Sequence, residues 1–133
     1  MPFPVNIKYI NEIEQEFELE FPGKFKSKMT KENGGELITE DDDWQLFPFF
    51  DKLDNKRISR TCNHIGLETK QAKEWENFPK NGVAIASNGY GDFLVLLPTA
   101  ENEKKLSDEI FIWFHETGQI EKVANSINEL NEG

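Results

Sequence analysis

The sequence predicts an α+β domain in which helices pack against a largely antiparallel central sheet. Three observations carry this expectation. Residues 81–97 hold two apolar runs, 83–86 and 93–97, around a polar, glycine-rich turn at 87–92. That is the pattern of a β-hairpin. The apolar residues are consecutive, so both faces of these strands are expected to be covered. The N-terminal part has helical spacing instead, with Ile10, Ile13 and Phe17 at i, i+3 and i+7. Residues 109–115 alternate, placing Ile110, Ile112 and Phe114 on one face of a strand and Phe111 and Trp113 on the other.

In chain order, Asn6 is expected to cap a first helix that runs to about Phe17. Pro22 suits the first turn of a second helix. There Phe25 and Met29 face inward, and Lys24, Lys26, Lys28 and Lys31 mostly outward. Asn33, Gly34 and Gly35 tolerate the left-handed conformation of a helix C-terminus. Residues 36–39 begin a strand, 40–43 form a charged loop, and 44–50 read as a second strand with Pro48 at an edge or bend. Residues 51–64 are polar and read as irregular. A short helix is expected over 68–76, with Ala72 and Trp75 inward, stopping before Pro79. The central hairpin follows, then a polar connection over 99–107, the alternating strand, a turn at 116–119, a strand at 120–123 and a final helix over 126–130. The expected core is Phe17, Phe25, Trp44, Leu46, Val83, Ile85, Leu94, Leu96, Ile112 and Phe114.

The 133 residues suit one domain spanning 1–133. A chain of this length buries roughly two-thirds of its surface and needs neither disulfide nor metal to fold. No apolar run approaches the roughly 20 residues of a membrane span. The N-terminus lacks the basic and apolar regions of a signal peptide, and the single Cys62 has no internal partner for a disulfide. These features point to a reducing cytoplasm.

The net charge is −10 and unevenly distributed. Residues 36–43 contribute five acids (Glu36, Glu40, Asp41, Asp42, Asp43) and no base. Residues 101–133 contribute eight acids and three bases, whereas residues 51–80 carry seven bases and five acids. Direct nucleic-acid binding needs a basic face and is not expected. A basic protein partner is favoured over an acidic one, and the overall charge reads equally as a means of keeping the chain soluble.

No motif for catalysis or a cofactor stands out. Gly89-Tyr90-Gly91 precedes a strand, whereas a phosphate-cradling loop precedes a helix, so it reads as a hairpin turn. Cys62 and His64 are too few for a zinc site, and His115 stands apart in sequence. No spacing singles out a carboxylate pair for acid–base work. The expectation is no enzyme, no cofactor and no metal. Residues 40–43, directly before Trp44, read either as a solvated turn or as a contact patch of carboxylates beside an aromatic anchor.

Several segments, in order, resemble one family. These are residues 9–14, Phe21-Pro22, Phe25-Lys26, Asn33-Gly34-Gly35, Trp44 with residues 46–49, residues 82–86, Asn88-Gly89, residues 91–94, and Trp113 with residues 115–118. Together they resemble the SUKH superfamily, the bacterial relatives of the fungal cell-wall assembly regulator, over nearly the whole chain. Phe21 stands where the family more often has Leu, which leaves the helix-start role intact. The resemblance implies helices on an antiparallel sheet, with Asn33, Gly34, Gly35, Trp44, Gly89, Gly91 and Asp92 mainly as scaffold. It implies an immunity protein that binds a cognate toxin domain, often a nuclease, and transfers no catalytic residue. The alternative is a regulatory or small-ligand-binding scaffold module. The expected toxin-binding residues are Asp41, Asp42, Asp43 and Trp44, with Glu36 and Glu40 as the rim.

Overall fold

The computed structural model describes residues 3–39 and 42–132. Two helices open the chain, α1 (Ile7–Phe17) and α2 (Gly23–Lys31), followed by the strands β1 (Gly35–Ile38) and β2 (Asp43–Leu46). Two shorter helices come next, α3 (Asn55–Arg60) and α4 (Ile65–Ala72). Then come β3 (Val83–Ser87), β4 (Phe93–Pro98), β5 (Leu106–Trp113) and β6 (Ile120–Ala124). A 3-10 turn (Ile127–Glu129) and β7 (Asn131–Glu132) end the described chain. Its strands form a seven-stranded sheet in the order β6-β5-β4-β3-β2-β1-β7, with every neighbouring pair antiparallel. The fold is α+β, as the sequence predicts.

The first helix starts where its cap requires. The Asn6 side chain accepts the Lys8 N–H at 3.0 Å, which satisfies one of the free donors of the first turn. Pro22 sits just ahead of α2, as its N-cap, rather than inside the first turn. Phe21, Phe25 and Phe49 meet with ring centroids 5.1–5.9 Å apart, two of the three pairs edge-on. One cluster joins them to Ile10, Met29, Leu37, Trp44, Leu46, Leu94, Leu96 and Ile110, each at most 5% exposed.

The end of α2 differs from expectation. Glu32 is already extended at φ −140°, and the positive φ angles fall later, at Gly34 (120°) and Gly35 (107°). The cause is Asn33, which is buried rather than capping the helix. Its Nδ2 donates to the Phe49 carbonyl at 2.9 Å, and its Oδ1 accepts the Phe49 N–H at 2.7 Å.

The second strand also stops sooner than residues 44–50 suggest. β2 pairs Gln45 with Ser87 and Leu46 with Ala86, and the Phe47 N–H still reaches the Ile85 carbonyl. Beyond that the chain turns away from the sheet, held by Asn33. Thr69 of α4 takes the vacated ladder position. Its hydroxyl accepts the Ala84 N–H at 3.0 Å and donates to the Ala84 carbonyl at 3.4 Å. A buried strand that loses its neighbour otherwise leaves unpaired backbone groups, and Thr69 supplies the replacement partner.

Other boundaries differ as well. Residues 51–64, expected to be irregular, contain α3. Its cap is Asp54, whose carboxylate accepts the Arg57 N–H and pairs with the Arg57 guanidinium, both at 2.8 Å. Helix α4 spans 65–72 rather than 68–76, so Trp75 lies beyond it and is 48% exposed. β5 begins at Leu106 rather than Glu109. Phe114 lies past its end, half-buried, with its N–H closing the turn on the Gln119 carbonyl. The final helix is a single 3-10 turn, after which β7 pairs with β1. Phe17 and Ile112 are partly buried against the core, and the other expected core residues, Phe114 apart, are buried within it.

Leu94 is fully buried between β3 and β5. Leu94→Ala is expected to cost about 2–5 kcal/mol, read as a lowered midpoint in a denaturant melt. Asn33→Ala strands both backbone groups of Phe49, and a loss of about 2 kcal/mol or more is expected in the same melt.

Candidate functional site

The acidic segment lies at the β1–β2 hairpin. Pairing sets Glu36 opposite Gln45, and Gln45 opposite Ser87. Directly opposed residues share a face, so Glu36, Gln45 and Ser87 form an outer row. Leu37 opposite Trp44 forms the inner, buried row. Asp43 and Glu36 are exposed and Asp42 is half-buried, whereas Glu40 and Asp41 lie outside the described residues.

Trp44 is not an exposed anchor. It is 1% exposed and belongs to the core, as its place on the inner row requires. Its indole N–H donates to the Thr39 hydroxyl at 2.9 Å, and Thr39 in turn bonds the Asp42 carbonyl through both its N–H and its hydroxyl. Trp44 therefore braces the hairpin from inside. A more exposed aromatic at this end of the sheet is Tyr90, 77% exposed at the tip of the β3–β4 turn. Sequence reasoning passed over it because a glycine-flanked turn tyrosine reads only as turn.

Asn88 connects the two turns. Its Nδ2 lies 3.5 Å from the Asp42 carboxylate and 3.3 Å from that of Asp92, and its Oδ1 accepts the Tyr90 N–H. Asp92 continues the chain of contacts. It accepts the His115 N–H at 3.1 Å and pairs with His115 Nδ1 at 2.7 Å. Burial raises the Asp92 pKa, but the bonds from His115 and Asn88 outweigh this and hold it below the usual carboxylate value. Gly91 sits at φ 102°, which strains any other residue, and a Cβ there would crowd the His115 ring at 3.0 Å. Trp75 meets that ring at 5.8 Å. A cavity of about 300 Å³ opens on the hairpin, bordered by Glu36, Asp43, Gln45, Asn63, Asn88 and Trp44.

The other residues weighed from sequence do not join this site. Cys62 is exposed. His64 is the N-cap of α4, its Nδ1 accepting the Leu67 N–H at 3.2 Å while its ring stacks on Phe50 at 4.6 Å. Among the described residues no three His, Cys, Asp or Glu side chains converge as metal ligands. No described helix is long and apolar enough to cross a membrane.

The ordered scaffold residues Asn33, Gly34, Gly35, Trp44, Gly91 and Asp92 thus each have a structural task. Compared with known protein families, the chain matches the SMI1 / KNR4 family (SUKH-1) over residues 4–132. The chain belongs to this family. No curated protein and no solved structure matches it.

His64 gives the SUKH-1 chain a pH-dependent cap. Burial lowers its pKa below the ordinary 6.5, with Lys70 and Lys52 acting in the same direction against Glu16. The neutral ring is the form that accepts the Leu67 N–H. The unfolded chain takes up this proton first, so the stabilisation is complete above about pH 6.5 and is lost as pH falls toward the lower folded value. His64→Asn keeps a capping acceptor and removes the titration. Its melts are expected to show a flatter stability–pH slope between roughly pH 7 and 5 than the unsubstituted protein.

Proposed function

We propose that this SUKH-1 protein is an immunity protein that binds a cognate bacterial toxin domain and occludes its active site. The observation that carries the reading is the family match over nearly the whole chain. Charge adds the expected character of the partner. A nuclease toxin needs a basic groove for its phosphate substrate, and a carboxylate-rich hairpin is suited to occupy such a groove. Asp42 and Asp43, with Asp41, would make the contact, and Glu36 and Glu40 would form its rim. Trp44 supports the hairpin from the core, and Tyr90 supplies the exposed aromatic contact in its place. The mechanism needs no catalytic residue: tight docking excludes the toxin's substrate. Long-range attraction would mainly speed encounter and weaken with salt.

The test uses the toxin domains encoded beside this gene. Each is co-expressed with the protein and scored for rescue of growth, and the rescued toxin is purified for binding. Changing Asp41, Asp42 and Asp43 to Asn together is expected to slow association about tenfold at low salt and to flatten its salt dependence. Unchanged affinity with unchanged salt dependence removes the hairpin from the interface. Failure of every toxin to be neutralised overturns the immunity reading.

A further inference from the structure

The 300 Å³ cavity on the hairpin has a neighbour. A second cavity of about 290 Å³ lies toward α3, bordered by Phe3, Gly35, Leu46, Arg57 and Arg60. Gln45 and Asn63 border both cavities, so the two meet over β2. The resulting groove has opposite charges at its ends. At one end stand Glu36 and Asp43, and among the described residues neither forms an ion pair. At the other end Arg57 is held by Asp54 and Asp51. Arg60 is exposed, lies over the Phe3 ring at 4.8 Å and has no acidic partner among the described residues.

Between the ends, Gln45 and Asn63 make no side-chain hydrogen bond with another described residue, so both amides are free to donate and accept. The floor runs along β2 from Asp43 to Leu46, a rise of about 10 Å at the spacing of a strand. The sheet face here carries Glu36 and Gln45 outward.

We infer that this groove receives one extended segment of a protein partner, with a basic side chain against Glu36 and Asp43 and an acidic side chain against Arg60. Identifying the partner with the toxin rests on the immunity reading above, but the chemistry of the groove does not. The two ends fix polarity: a segment placed backwards meets like charge at both. The amides of Gln45 and Asn63 suit the backbone of an extended chain, which offers alternating donors and acceptors. A basic residue alone would satisfy only one end. The occupant therefore needs both signs, a basic residue toward Glu36 and Asp43 and an acidic one toward Arg60.

The test uses two blocked pentapeptides, one with Arg first and Glu last and one with Arg at both ends, with small polar residues between. Each is titrated into the isotope-labelled full chain and followed by amide chemical shifts. The Arg/Glu peptide is expected to shift the backbone signals of Glu36 and Asp43 and the side-chain amides of Gln45 and Asn63, saturating with a dissociation constant of about 1 mM. The Arg/Arg peptide, which meets like charge at Arg60, is expected to bind at least about threefold more weakly. The variant Arg60→Glu, at an exposed position, is expected to invert that preference. Equal binding of both peptides, shifts elsewhere on the surface, or a preference that Arg60→Glu leaves unchanged overturns the proposal. Loss of the peptide response with growth rescue retained rejects the groove and keeps the immunity reading. A polar peptide response without neutralisation of any toxin supports the groove and rejects that reading.

Discussion

The architecture around the candidate site depends on the Asn33 amide, which closes onto the N–H and carbonyl of Phe49. These two bonds join the turn after α2 to a point three residues beyond the end of β2. They draw the chain off the sheet after Phe47 and set Phe49 against Phe21 and Phe25. With β2 gone, Ala84 needs another partner, and Thr69 of α4 provides it. The departing segment also leads into α3, which carries Arg57 and Arg60. One buried side chain therefore positions the end of β2, the docking of α4 and the basic end of the groove. Asparagine suits the task because it offers a donor and an acceptor together without a charge to bury.

The opposite end of the groove is organised by polar contacts on the surface. Asp42, Asn88, Asp92 and His115 form a continuous series from the β1–β2 turn to the end of β5. The short contact between Asp92 and His115 is its firmest step, and it holds the β3–β4 turn closed while leaving Tyr90 outside. At this end Trp44 is buried and Gly91 lies close against the His115 ring. The exposed parts are side chains with few internal obligations.

Much of this was legible in the sequence because it follows from side-chain periodicity. The apolar runs at 83–86 and 93–97 and the spacing of Ile10, Ile13 and Phe17 can be satisfied in few ways, and the structure uses them as expected. What escaped were features set by distant partners. Helix α3 has no apolar face of its own and rests on the Asp54 cap. The early end of β2 is decided by Asn33, sixteen residues before Phe49. Trp44 was legible both as core and as anchor, since an aromatic after an acidic run fits either. The inner row opposite Leu37 decides for the core. The basic end of the groove was invisible because Phe3, Gly35 and Arg60 come together only through the tertiary fold.

The charge distribution separates what the fold needs from what it does not. Five acids within 36–43 repel one another, and mutual repulsion opposes the compact state. Elsewhere on this chain acids near bases do pair: Glu14 with Lys26, Glu12 with Lys52, Glu16 with Lys70 and Glu109 with Lys122. The hairpin lacks such bases, although seven lie within residues 51–80. Glu36 and Asp43 point away from the core that Leu37 and Trp44 build, so their charge does nothing for packing. Residues that weaken the fold slightly and satisfy nothing inside it are the ones whose partner is best sought outside.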